Sequence, residues 1–416
     1  MNAVATEEPR IHTLCVLLTG RCNLHCAYCY RGGSGGRDLA ADALDAALTM
    51  ALRAEGPTLE VIFSGGEPAL RFDVFRSAVA RLRAGASASR PVAVRLATNG
   101  TLLSDDRLDF LVEQGVYLSL SLDGAPPAQR LRGALAVSRL DQLLERLRLG
   151  HPGFLAHRVR AVMTVLPETV SHLAASVDHL LDAGVAEIRA APVLTPVAGW
   201  DDDLRAELAT QLTAVRRRCE ERLAATGKVP FLPLRHYGIE TAPGGPGPDQ
   251  AGVRSCAITS GAAPVLDTDG RLYACLMFAP SGLGAGPEQR SLRRVAATVD
   301  LGRPGERGYA ERAARLPTTL AAASGFAPGE RLSSRFGACA DCVARSSCRI
   351  CPYALLRFGG DHGGIRVPAF LCAFHQEMTR QRALIPAQKP TAPERWRPEV
   401  LEERRQRFLE KFGRVD

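Results

Sequence analysis

Short runs of β-branched and apolar residues recur along the first half of the chain: "IHTLCVLL" (11–18), "LEVIF" (59–63), "VAVRLA" (92–97), "VYLSLSL" (116–122), "RVRAVMTVL" (158–166) and "VAEIRAA" (185–191). Between them lie stretches whose apolar residues fall three and four apart, among them "AADALDAALTMALRA", "DVFRSAVARLRA", "SDDRLDFLVEQG" and "ETVSHLAASVDHLLDAG". The short runs predict strands and the spaced stretches predict amphipathic helices, several ending at a glycine, as helix C-termini favour. Six strand-helix units in series predict a parallel sheet with right-handed crossovers. Six units rather than eight predict an α/β fold of the partial (β/α)6 TIM-like barrel type, with a side mouth wide enough for a large substrate. The helical stretch 201–226 closes this region.

The pattern then breaks. "TAPGGPGPDQAG" (241–252) is rich in glycine and proline and suits neither helix nor strand, which predicts a linker. The expected organisation is a core over 1–240, the linker, a cysteine-rich unit over 253–385 and a charged tail or helix over 386–416. Within the second unit "APVLDTDGRLYACL" predicts a small β-hairpin turning at Asp269-Gly270, accompanied by helices and loops. The arginine-rich stretch between Cys275 and Cys339 reads either as a surface for an acidic peptide or as a connecting loop.

Composition narrows the function classes. The 416 residues are 46% hydrophobic and 23% charged, an ordinary globular balance. No apolar run approaches the roughly 18 residues of a membrane span, and the first residues lack a signal peptide's pattern, so no membrane partner and a cytoplasmic location are expected. The formal charge of +8 is distributed among acidic residues, as in "RRRCEERL", and predicts a solvated surface rather than a nucleic-acid partner. In a reducing compartment the twelve cysteines are read as metal chemistry before disulfides. Cys15 is expected in the core and Cys219 on a helix surface.

The first cysteine constellation is "CNLHCAYCY", with Cys22, Cys26 and Cys29 spaced C-x3-C-x2-C. A closed tetrahedral zinc site wants four ligands, so three thiols imply either a distant fourth ligand or a position left for something that is not protein. The motif follows the first predicted strand, at the carboxyl end, where α/β sheets place their chemistry. "SGGEP" (64–68), "ATNGT" (97–101) and "SLDG" (121–124) follow the next three strands in order.

These motifs together resemble the radical S-adenosylmethionine (radical SAM) superfamily. The resemblance implies that Cys22, Cys26 and Cys29 hold a 4Fe-4S cluster with one iron left open for SAM. It further implies SAM contacts from Gly65, Gly66 and Glu67 of the "GGE" loop, from Asn99 and Ser121, from Arg132 at the carboxylate and from Tyr28 against the adenine. An iron without a protein ligand is where chemistry can occur, and the cofactor carries the hard step while the protein orients and excludes water.

The second constellation lies beyond the linker. Cys256 and Cys275 flank Gly270, and Cys339, Cys342, Cys348 and Cys351 follow as C-x2-C-x5-C-x2-C, with a last Cys372. This is similar to the SPASM domain, which holds two auxiliary 4Fe-4S clusters. By resemblance Cys256, Cys275 and Cys351 bind one cluster, and Cys339, Cys342, Cys348 and Cys372 the other. The family pattern has three residues between the last two cysteines of the quartet, and this chain has two, Arg349 and Ile350. Paired zinc ribbons are the alternative for this region.

The resemblance implies an oxidoreductase-type enzyme that matures a ribosomally made precursor peptide, by crosslinking or oxidation after hydrogen abstraction. The implied partners are the peptide and a reductant such as flavodoxin or ferredoxin. About ten residues precede the first strand, so a leader-binding domain would be a separate adaptor, or unnecessary. Leu276 stands where sulfatase-modifying members carry an aspartate base, which points away from that branch. The rival enzyme class is dehydrogenation or epimerisation of a small natural-product intermediate, and the rival outside enzymes is a zinc-ribbon nucleic-acid-binding protein.

Overall fold

The computed structural model describes residues 10–31, 36–87, 90–195, 199–235, 260–283, 289–324, 339, 341–344, 351–359 and 368–386. Each of the six expected strands forms: β1 (Thr13–Thr19), β2 (Leu59–Gly65), β3 (Val92–Thr98), β4 (Tyr117–Ser121), β5 (Val159–Val165) and β6 (Ile188–Pro192). Each pairs in parallel with the next. The crossovers carry α1 (Ala41–Arg53), α2 (Phe72–Ala84), α3 (Asp105–Glu113), the short α4 (Pro126–Gln129), α5 (Ala134–Gly150), α6 (Pro152–Arg158) and α7 (Leu173–Asp182). α8 (Asp202–Thr226) follows the last strand, capped at its start by the Asp201 carboxylate on the Leu204 N–H at 2.9 Å.

Alternation along the strands separates two faces. Leu14, Val16 and Leu18 of β1, and Val61 and Phe63 of β2, join the core formed with the helices. There Phe63 meets Phe75 of α2 edge-on at 5.1 Å. The opposite face is polar near the amino ends of the strands, where buried Arg95 bonds Glu60 at 3.1 Å and Ser119 at 3.2 Å. This is a partial barrel, built as the periodicity predicts.

The expected hairpin forms too, but it extends the same sheet. β7 (Val265–Leu266) pairs in parallel with β1, β8 (Leu272–Tyr273) turns back on β7, and β9 (Asp300–Gly302) pairs antiparallel with β8. The sheet order is therefore β6-β5-β4-β3-β2-β1-β7-β8-β9. The arginine-rich stretch is not simply a connecting loop: it supplies α9 (Arg290–Thr298), β9 and α10 (Tyr309–Ser324), with Leu292, Val295 and Ala296 buried. α11 (Pro352–Gly359) and α12 (Ala369–Ala383) complete the described helices, and α12 lies against α8 through Gln381, which bonds Arg216 at 2.9 Å and Thr213 at 3.0 Å. The expected linker 241–252 and the charged segment 387–416 lie outside the described residues.

Cys219 corrects a sequence expectation. It is buried on the inner face of α8 with Leu208, Leu212 and Val215, and burial pushes its thiol up to about 11. The four residues form one stripe at helical spacing, and the flanking arginines and glutamates hid it. Cys15 is half-buried against Leu17, Val265 and Ala279. Among the described residues no helix is long and apolar enough to cross a membrane.

One ionic cluster ties the last strand to its neighbours. Glu187 accepts from Arg160 and from Arg235, each at 2.7 Å. Burial alone would raise this carboxyl, but the two guanidiniums prevail and bring it from 4.5 down to about 2. A carboxyl depressed in the folded state adds stability above its unfolded value and loses it as pH falls through the folded one. Between about pH 4.5 and 2 the protein is expected to lose on the order of 2 kcal/mol from this cluster, allowing for screening at a side chain 32% exposed. Urea unfolding of Glu187→Gln across that range checks it: the variant should be less stable at neutral pH and show a flatter acid limb.

Candidate active site

The loop leaving β1 carries Cys22, Cys26 and Cys29, and its entry is braced by ordinary polar chemistry. Asp38 returns alongside Thr19, accepting from the Thr19 hydroxyl at 2.6 Å and from Arg21 at 2.7 Å, and it pairs with Arg71 at 2.8 Å. The β2 exit meets this entry closely. Gly66 N–H bonds Thr19 O and Glu67 N–H bonds Arg21 O, both at 2.8 Å. A Cβ on Gly65 would stand 2.4 Å from Thr19 O, and one on Gly66 would stand 2.2 Å from Arg21 O. The close approach these two glycines permit is to the cysteine loop's own backbone.

Glu67 is fully buried, and its carboxylate accepts from Ala69 N–H at 2.9 Å, Thr98 Oγ1 at 2.5 Å and Asn99 N–H at 2.7 Å. Burial raises this carboxyl in spite of the three donors. Its role in the structure is to bolt the β2 exit to the β3 exit. Asn99, so positioned, donates from Nδ2 to Asn23 Oδ1 at 2.9 Å and lies 3.9 Å from Cys22 Sγ. Asn23 in turn donates to Thr101 at 2.8 Å.

The other flank of the loop is held by a residue that sequence reasoning passed over. Asp123 is 2% exposed and accepts from Arg132 Nε and Nη2, both at 2.8 Å, and from Thr164 N–H at 2.9 Å. It also takes the Tyr28 hydroxyl, while the Arg132 guanidinium lies over the Tyr28 ring at 5.4 Å. Arg132 is therefore engaged bidentately by protein, leaving Nη1 as the nitrogen not engaged by Asp123. The backbone closes the arrangement, with Ala27 N–H on Leu131 O at 2.9 Å. Asp123 stands in the "SLDG" motif, where an Asp-Gly pair reads as turn chemistry; a lone buried carboxylate nine residues before an arginine was the available signal. Ser121 lies half-buried at the end of β4.

Burial pushes the Cys22 and Cys26 thiols up, and the cysteines add to it: Cys29 raises both, and Cys22 raises Cys26. Thiols that gather yet resist ionising in the protein alone suit a cationic metal group, which deprotonates a ligating thiol outright. Among the described residues no three Cys, His, Asp or Glu side chains stand close enough together to hold a single metal ion. The loop's three half-buried or exposed thiols fit a polynuclear group in which each meets a different metal atom.

The described cysteines from Cys275 onward fall into two neighbourhoods. Cys275 follows β8, and Phe278, one turn on, meets Tyr353, two residues past Cys351, at 5.7 Å between ring centroids. Cys342 accepts from Gln376 at 3.6 Å, and Gln376 lies one helical turn from Cys372 on α12; the Cys342 N–H reaches Cys339 O at 3.5 Å. Cys256 and Cys348 lie outside the described residues. The two halves meet at Arg31, two residues after Cys29, which donates to the Ser281 hydroxyl at 3.0 Å. Ser281 N–H in turn bonds buried Asp267 at 2.8 Å.

A cysteine triad on the first strand's exit loop of a partial barrel defines a class, and residues 16–180 match the model of the Radical SAM superfamily. The chain carries a radical SAM domain. Among curated proteins, an uncharacterised protein of Methanocaldococcus jannaschii is 27% identical over 111 residues, 27% of this chain and 38% of that one. A probable GTP 3′,8-cyclase of Methanocella arvoryzae is 35% identical over 117 residues, 27% of this chain and 35% of that one. The chain thus spans little more than a third of the length of these relatives. Among solved structures, native anSMEcpe with bound AdoMet and Kp18Cys peptide is similar over 95% of this chain and 99% of that one, with a TM-score of 0.62 and 14% identity. The fold is shared over nearly the whole length.

Proposed function

We propose that the protein is a radical SAM enzyme with two auxiliary 4Fe-4S clusters, and that it modifies a peptide. The observation that carries this reading is the braced loop of Cys22, Cys26 and Cys29 at the carboxyl end of β1, within a domain that matches the superfamily. The peptide substrate is supported by the fold shared with anSMEcpe, whose solved structure contains a peptide. When bound, the 4Fe-4S cluster and SAM supply the electron and the 5′-deoxyadenosyl group that takes hydrogen from the substrate.

The chain's own residues orient and enclose. Asn99 and Ser121 face SAM from the exits of β3 and β4, and Gly65 and Gly66 let the loop backbones pass close to one another. Glu67 holds Asn99 in place, and Asp123 fixes Tyr28 and Arg132 on the far side. Cys256, Cys275 and Cys351 hold one auxiliary cluster, and Cys339, Cys342, Cys348 and Cys372 the other. A flavodoxin or ferredoxin of the cytoplasm supplies electrons, and a separate adaptor delivers the precursor if its leader needs gripping. A small-molecule substrate is the second reading, favoured by the name of the cyclase matched over 117 residues.

The test is anaerobic turnover with dithionite and SAM, with and without any short peptide found encoded beside the gene. The expected result is 5′-deoxyadenosine in both cases and a SAM-dependent mass change in one peptide. Cleavage of SAM with every such peptide unaltered would overturn the peptide assignment, and absence of cleavage would overturn the enzyme reading.

A further inference from the structure

Tyr353 is among the largest fully buried side chains, 1% exposed, yet its hydroxyl has no hydrogen-bond partner. Four residues along the same face of α11, Arg357 Nε is also buried without a partner. A buried donor left unpaired is costly, and two on one helix face mark a place where the acceptor is not protein.

The surroundings identify that acceptor. Leu355 N–H bonds Cys351 O at 3.1 Å, so α11 starts at that cysteine, and Phe278 N–H bonds Cys275 O at 3.2 Å. The Phe278 and Tyr353 rings meet edge-on at 70°. The two cysteine-bearing turns are thereby held against each other with the orphan donors beside them.

We infer that Tyr353 Oη and Arg357 Nε donate hydrogen bonds to sulfur atoms of the auxiliary cluster held by Cys275 and Cys351, and so raise its reduction potential. The inference rests on the reading that these cysteines hold such a cluster. A donor pointed at cluster sulfur stabilises the more negative, reduced state, which moves the potential upward. Tyr353 acts as a positioning and tuning residue.

The experiment is a potentiometric titration followed by electron paramagnetic resonance, on holoenzyme in which Cys22, Cys26 and Cys29 are alanine so that only auxiliary clusters report. Tyr353→Phe keeps the ring and removes only the donor. With iron and sulfide unchanged, one auxiliary signal is expected to become about tenfold harder to reduce at a fixed potential, about 59 mV for one electron. An unmoved potential with the cluster retained overturns the inference. Absence of auxiliary iron in the unsubstituted protein overturns the underlying reading and the inference with it. If Tyr353→Phe does not retain the cluster, Arg357→Gln under the same titration decides by the same shift.

Discussion

Replacing Cys22, Cys26 and Cys29 together with alanine is expected to abolish 5′-deoxyadenosine formation from SAM under dithionite, a fall to the level of a reaction without protein. The loop offers no other thiolate: its remaining side chains between Arg21 and Tyr30 are Asn23, Leu24, His25, Ala27 and Tyr28, and thiolates are the usual anchors of such clusters. The fold should survive, because the braces at the loop's entry, Thr19, Arg21, Asp38 and Arg71, contain no thiol. The proposed auxiliary clusters should survive too, since the cysteines proposed to hold them sit on other elements. Iron analysis with product chromatography and circular dichroism checks all three. Persistent 5′-deoxyadenosine in a folded triple variant would place the site elsewhere.

The second large effect is expected at Asp123. Asp123→Ala leaves the Arg132 guanidinium buried and uncompensated and takes the acceptor from the Tyr28 hydroxyl and the Thr164 N–H. Breaking a buried pair on one side costs roughly 3–5 kcal/mol, mostly from the charge left behind. Denaturant unfolding should show that loss. Converting Arg132 to Met in the same chain should restore part of it, because the stranded charge is then gone. Tyr28→Phe should cost far less, about 1 kcal/mol, the net value of one hydrogen bond. An Asp123→Ala variant as stable as the parent would mean that this network does not hold the loop's flank.

Much of the framework was legible without coordinates. β1 to β6 fall within the six apolar runs or a residue or two of their ends, because strand and helix periods are local properties of ten or so residues. The place of the cysteine loop after β1 was readable for the same reason. Charged residues on either side of Cys219 mask its four-residue stripe, and the sequence of the arginine-rich stretch after Cys275 does not separate a surface from a loop, because the burial of Leu292, Val295 and Ala296 depends on what packs over them. Glu67, Asn99 and Arg132 stand in motifs that are legible in the sequence, but their partners are not. The motif letters carry no record that Glu67 turns to the β3 exit or that Arg132 meets Asp123.

The sequence alone determined the alternation of strands and helices, the parallel barrel that follows from it, and the grouping of cysteines after β1 and beyond the hairpin. Only the tertiary structure decided that β7 lies beside β1 and that Arg31, two residues after Cys29, reaches Ser281, 250 positions away. It alone paired Tyr28 with Asp123 across 95 positions. The division has a physical cause. Periodicity and turn chemistry act between neighbours and leave a pattern in the chain, whereas a hydrogen bond between distant segments is made only after the sheet has set their separation, and neither partner's local sequence has to change to allow it.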